Sequence, residues 1–367
     1  MLDITQIVAG PVCTRMLADL GADVVKIDPP ARVEEMGKPR RTAGPAAQNA
    51  GKRSIVLDLK QPGGLEVARK LAESADVVVQ NYRPGALAAL GLGFETLRIA
   101  NLGLIYVTIS GFGEDTSFGK RGAFGATAHA EAGWLWVQQQ AQGGEEPFAP
   151  GVTVADIATG MNACTATLAA LYDRTNTGIG QYINVTLMDS QLAFVAEAAA
   201  PALAAPESQA WVPFRHGLQR ARDGYLAINL GGPDNWARLA RAMGKDLTAF
   251  PGHELAERML AEWVATRCVA EVVAAMDAVK APYGVMLSMH SALDHPYFAE
   301  REMIVSVSDP LEGTSRVVSS PLFFSNAASA PTSGAALAGQ HTDEILRELG
   351  YSEEAIADLR PTSGGAK

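Results

Sequence analysis

Asp156 lies directly before a run in which Ile157, Met161, Cys164, Leu168 and Leu171 recur at helical spacing. The sequence therefore predicts a helix over 157–173 with the aspartate at its N-cap, where backbone N–H groups and the helix dipole favour an ionised carboxylate. A carboxylate must be ionised to act as a nucleophile, although by residue type alone an aspartate in this place is first of all a helix cap. A second chemical signal is local charge. Residues 26–60 hold eight basic side chains (Lys26, Arg32, Lys38, Arg40, Arg41, Lys52, Arg53, Lys60) against four acids (Asp28, Glu34, Glu35, Asp58), a net of +4 within a chain of formal net charge −10. Such an excess suits the phosphates of a small molecule, whereas the acidity of the whole opposes a nucleic-acid backbone, so no nucleic-acid partner is expected.

Other chemistries lack their signatures. The chain has no G-x-G-x-x-G after its first strand, no G-x-x-x-x-G-K-[ST], no G-x-S-x-G and no H-E-x-x-H. Cys13, Cys164 and Cys268 are far apart and odd in number, which reads as reduced thiols of a cytoplasmic protein; no metal site is expected. His129 is a lone histidine in an Ala/Gly-rich stretch and reads first as structural. No window of 18 apolar residues lacks a charge, and no basic region precedes a hydrophobic one at the N-terminus, so neither a membrane span nor a signal peptide is expected.

The elements that must position these residues follow from pattern. At 367 residues with 48% hydrophobic composition, the chain can bury a large core without staples. LDITQIV, ADVVKID, RSIVLDL, DVVVQN and LIYVTISGFG alternate with the helical CTRMLADLG, GLEVARKLAESA and ALAALG stretches. This βαβ rhythm, with strands apolar on both faces, predicts an α/β fold: a Rossmann-like, doubly wound domain with a mostly parallel sheet. Residues 29–51 read as a long functional loop, 114–155 as Gly/Ala/Gln-rich with weak strand signals, YINVTLMD as a strand, and Trp236 to about Asp277 as helical.

Taken in order, LDITQIVAGPVCTRMLADLGADVVKID, NAGKRSIVLDLK, ADVVVQNYRPGAL, LIYVTISGFG, ADIATGMNACTATLAALYDRTNTGIGQYINVTLMDS and GQHTDEILRELG resemble the class III CoA-transferase (CaiB/BaiF) family, which includes formyl-CoA transferase, carnitine CoA-transferases and α-methylacyl-CoA racemase. The resemblance implies acyl-CoA and a carboxylic acid as substrates, no tightly bound cofactor, and an interlocked homodimer. It implies a large domain of residues 1–185 and about 325–367, a smaller α+β domain of about 215–310, and linkers at 186–214 and 311–324. The family's catalytic aspartate matches Asp156, which would carry an aspartyl-CoA thioester. The CoA contacts match Val8, Ala9, Leu57, Asp58, Leu59, Lys60, Asn81, Tyr82 and Arg83. Lys52 and Arg53 become candidate phosphate contacts, and Gly231-Gly232 the counterpart of a loop over the acyl site.

Departures bear on the acyl group. The formyl-CoA transferase branch carries an active-site glutamine where this chain has Val8, and two CoA-binding arginines match Pro29 and Ala89; Val8 implies a less polar acyl pocket. The racemase branch carries a His-Asp pair where this chain has Phe124-Gly125, with His129 four residues on. The sequence thus favours an acyl-CoA:carboxylate CoA-transferase. The alternatives are an acyl-CoA racemase or epimerase using His129 as a second base, and a CoA-binding paralogue without turnover.

Overall fold

The computed structural model describes residues 1–30, 47–143, 146–204, 217–245 and 249–359. Most of the predicted 29–51 loop, with Arg32, Lys38, Arg40 and Arg41 of the basic segment, lies outside the described residues. The chain divides into two compact units, Met1–Ala210 with Glu300–Lys367, and Trp211–Ala299.

In the first unit, β1 (Leu2–Ile4), α1 (Ala9–Asp19), β2 (Val25–Asp28), β3 (Arg53–Val56), α2 (Pro62–Ser74), β4 (Val77–Gln80), α3 (Phe94–Ala100) and β5 (Ile105–Ser110) follow the expected alternation. They are succeeded by α4 (Gly125–Glu131), α5 (Trp134–Gln142), α6 (Val154–Thr177), β6 (Tyr182–Thr186), α7 (Leu187–Phe194) and α8 (Ala196–Ala204). Among the described residues, six strands form one sheet in the order β3-β2-β1-β4-β5-β6, every neighbouring pair parallel. The order runs outward in both directions from β1 and β4, which makes the crevice beyond their carboxyl ends the topological switch point where such sheets bind ligands.

Successive side chains of a strand point to opposite faces, and both faces here are apolar. Leu2, Ile4, Ile55, Val78 and Tyr106 join Val67, Ala68 and Leu71 of α2 and Ile345, Leu346 and Ile356 of the C-terminal helices Thr342–Glu348 and Glu353–Leu359. Both ends of the chain thus build one core. Val77, Val79, Ile105, Val107 and Ile109 face Cys13 and Leu17 of α1, Ala128 of α4, and Ala155, Ala163 and Ala170 of α6. Small residues on α6 let α1 approach closely: a Cβ on Gly160 would fall 2.6 Å from the Ala9 carbonyl oxygen and 2.7 Å from Val12 Cβ. By length and mean hydropathy α6 could cross a bilayer, but its small-residue face packs against α1 and the sheet.

Several boundaries differ from the sequence reading. α6 begins at Val154, not Ile157, and 114–155 supplies two helices, α4 and α5, in place of weak strands. YINVTLMD turns from strand to helix at Leu187, because Thr186 accepts a hydrogen bond from the Asp189 N–H and caps α7. The expected linker 186–214 therefore contains α7 and α8, and the expected linker 311–324 contains half of an antiparallel hairpin, Ile304–Asp309 with Gly313–Val318, that belongs to the first unit.

The second unit has α+β character. Leu218–Arg220, Tyr225–Ala227 and Gly284–Val285 form an antiparallel sheet, and Trp236, Leu239, Leu260, Val264, Val272 and Met276 share its core. The helical stretch expected from Trp236 to Asp277 is three helices, Pro233–Ala242, His253–Ala265 and Val269–Val279. Gly244 (φ 70°) and Gly252 (φ 94°) take left-handed backbone that ends one helix and opens the next.

Candidate active site

At the switch point, the loop after β1 and the segment after β4 are tied together. Asn81 accepts from the Gln6 N–H at 2.8 Å and donates to the Gln6 carbonyl at 2.7 Å, while Gln6 Nε2 donates to the Tyr82 hydroxyl at 3.0 Å. Gln6 was not among the sequence candidates; its exchange of both backbone groups with Asn81 is a tertiary feature. Arg83 is exposed beside these residues. In the turn after β3, Leu57 is buried and Lys60 exposed, and Asp58 accepts from the Lys60 N–H at 2.9 Å, an Asx turn that fixes the turn's course. Val8 is the N-cap residue of α1, preceded by Ile7 in left-handed backbone (φ 68°). The candidates Val8, Ala9, Leu57, Asp58, Leu59, Lys60, Asn81, Tyr82 and Arg83 thus lie at the carboxyl ends of β1, β3 and β4.

Asp156 is 8% exposed. It occupies the third position of α6 instead of the N-cap, which is Thr153, and so remains in the first turn. An N-cap carboxylate ionises easily, but here the balance differs: burial raises the carboxyl above its ordinary value, with a hydrogen bond from its own backbone N–H opposing in part. A poorly solvated carboxylate is the more reactive nucleophile. The Ala9 carbonyl lies against Gly160, one turn further along α6, so the loop after β1 and the carboxylate belong to one neighbourhood.

Room for that carboxylate comes from Gly125. A Cβ there would sit 2.1 Å from Asp156 Oδ2. Because the obstructed atom is the tip of a side chain, Gly125→Ala is expected to preserve the fold, checked by thermal melting. Displacing the carboxylate should nonetheless lower turnover by about 10²-fold, the scale of a misplaced reacting group. The same contact means that an aspartate at 125, as in a His-Asp pair, could not share this arrangement.

His129 is buried at 3% exposure, and its Nε2 accepts the Ala155 N–H at 3.0 Å. That lone pair is committed, so the ring is not a free base through Nε2. Trp134 lies beside it, ring centroids 6.4 Å apart.

Lys52 and Arg53, expected to meet phosphate, are instead committed to the protein's own carboxylates. Lys52 is 3% exposed, with Nζ 3.0 Å from Asp3 Oδ2 and further bonds to the Pro11 carbonyl and Asn49; burial pushes it down to about 8, against the pull of Asp3. Arg53 pairs with Asp23, Glu344 and Glu348, joining β3 to the C-terminal helix. His341 completes that junction through backbone and Nδ1 hydrogen bonds to Ser54. Gly231 (φ 59°) packs against Asn235, and Gly232 precedes the helix Pro233–Ala242 of the second unit. Cys13 and Cys164 are buried free thiols, the latter pushed up to about 11 by burial, so neither is activated. Among the described residues no cluster of His, Cys, Asp or Glu could hold a metal ion.

The family model for CoA-transferase family III matches residues 1–342. The chain is 28% identical to human succinyl-CoA:glutarate CoA-transferase, over 98% of this chain and 87% of that protein. It is 29% identical to human α-methylacyl-CoA racemase, over 98% and 94% respectively. Among solved structures, a CaiB/BaiF family protein from Brucella suis superposes with a TM-score of 0.81 at 27% identity, covering 95% of this chain and 97% of the other.

Proposed function

The chain belongs to CoA-transferase family III, and from that premise we propose that it moves CoA from an acyl-CoA to a free carboxylate through an aspartyl-CoA thioester on Asp156. The observation that carries this reading is a desolvated carboxylate in the first turn of α6, given room by Gly125. Asp156 attacks the donor carbonyl, the C–S bond breaks, and CoA thiolate leaves a mixed anhydride. The thiolate then attacks the aspartyl carbonyl, releasing the donor acid and forming the thioester. The acceptor carboxylate attacks that carbonyl, thiolate departs again, and its attack on the acyl carbon of the second anhydride frees Asp156 and the new acyl-CoA. Each step exchanges one activated acyl bond for another, so no bond energy is lost to water. Val8, Ala9, the Leu57–Lys60 turn and the Asn81–Arg83 segment would hold CoA.

A succinyl-CoA donor is named for several relatives and is the first donor to try, with dicarboxylates as acceptors. Exposed Met161, Leu168 and Tyr172 along α6 support a homodimer that covers this face, and three free thiols suit a reducing cytoplasm.

Enzyme incubated with succinyl-CoA and then borohydride or hydroxylamine should carry its modification on the peptide containing Asp156; turnover with that peptide unmodified would overturn the reading. Similarity to a racemase keeps proton exchange in view, yet His129 Nε2 is engaged, and Phe124-Gly125 stand where the resemblance places the racemase branch's His-Asp pair. Uptake of deuterium at the substrate α-carbon without an acceptor acid would decide for racemisation.

A further inference from the structure

The first N–H groups of a helix have no intrahelical acceptor, and the N-cap side chain ordinarily supplies one. In α6 it does not: Thr153 makes no side-chain cap hydrogen bond. The acceptor for the Ala155 N–H is instead His129 Nε2, from a helix 26 residues earlier in the chain. Gly125 and His129 are one helical turn apart and share a face of α4. One lies against the Asp156 carboxylate, and the other holds the backbone N–H of the residue before it. The two contacts bracket the nucleophile.

We propose that His129 is a positioning residue, a neutral imidazole that caps the catalytic helix from outside and sets the place of the Asp156 carboxylate. The proposal rests on the reading of Asp156 as nucleophile. An accepting Nε2 places the ring proton on Nδ1. Protonating Nε2 would set N–H against N–H and put a cation at the positive end of the helix dipole. Burial acts in the same direction, lowering the His129 value below its ordinary 6.5. The ionisable groups on the surrounding elements are Asp156 and Cys164 of α6, with Tyr172, Asp173 and Arg174 in its last turns, Asp189 of α7 and, on its own helix, Glu131, which is paired with Arg121. The neutral, competent state is therefore present at and above the ordinary histidine value of 6.5 and is lost only as pH falls through the lower folded one.

The test compares wild type, His129→Gln, His129→Leu and Asp156→Ala in CoA transfer from succinyl-CoA, with kcat, KM and the pH profile of each. Leucine removes the acceptor and should lower kcat by about 10- to 100-fold with KM for the donor nearly unchanged, the scale of a mispositioned reacting group. Glutamine offers Oε1 in place of Nε2, so it should restore most of the rate and drop the histidine ionisation from the acid limb. Wild-type kcat in His129→Leu, or equal losses in the leucine and glutamine variants, would overturn the proposal. Should His129→Leu fail to fold, ¹⁵N-histidine spectra of the wild type decide, with His129 assigned by its absence from His129→Gln: an unprotonated Nε2 is expected, and a protonated one refutes the cap. Activity retained in Asp156→Ala would instead remove the parent reading.

Discussion

Asp156→Asn is expected to lower CoA transfer by at least about 10³-fold while leaving donor binding and the fold in place, as for loss of a covalent nucleophile. The amide matches the carboxylate in shape, so the first turn of α6 and its contact with Gly125 persist, but it cannot form the anhydride. The wild-type carboxyl is held in a buried site that raises it above the ordinary aspartate range. Asparagine escapes that penalty. Its melting temperature should consequently equal or exceed that of wild type, the pattern of a site where function opposes stability. A fall in melting temperature together with activity would mark Asp156 as a structural cap.

Asp3→Ala is expected to destabilise the protein by about 3–5 kcal/mol in urea unfolding, the cost of breaking a buried ion pair by removing one partner. Asp3 is fully buried on β1 and serves two lysines: Lys52 Nζ at 3.0 Å and Lys26 Nζ at 3.6 Å. Its oxygens also accept from the hydroxyls of Thr5 and Thr14. Burial opposes its ionisation, but the two lysines and the hydroxyls outweigh burial and hold the carboxyl well below its ordinary value. The stability this contributes is present above the ordinary value of 3.8 and is lost as pH falls through the lower folded one. Adding Lys52→Met to Asp3→Ala should recover part of the loss by removing an unpaired buried ammonium; strict additivity of the two changes would show that the groups do not interact. Lys26 Nζ also donates to the Thr5 carbonyl at 2.6 Å. The network thus anchors the loop that leads to Val8 and Ala9.

Much of the sheet was legible because buried parallel strands leave a double-sided apolar pattern that needs no partner to recognise. VVKI, SIVL, DVVV and LIYVTI all lie in strands or at their edges. The start of α6 was misplaced, since Asp156 and Thr153 are both cap-type residues, and Thr153, the N-cap in the structure, makes no side-chain cap hydrogen bond while the acceptor for Ala155 comes from His129. Lys52 looks like a loop charge in sequence; only Asp3, 49 residues away, turns it into a core residue. Gly125 carries no signal at all until the carboxylate it accommodates is in place.

From the linear chain come the strand–helix alternation, the family likeness and the proposal of Asp156 among its carboxylates, because these rest on periodicity and on ordered local motifs. Folding alone decides that this carboxylate is desolvated, that Lys52 and Arg53 are spent on structure, and that His129 caps instead of titrating freely. Those properties depend on which groups surround a side chain and how much water they exclude, and both are set by residues distant in sequence.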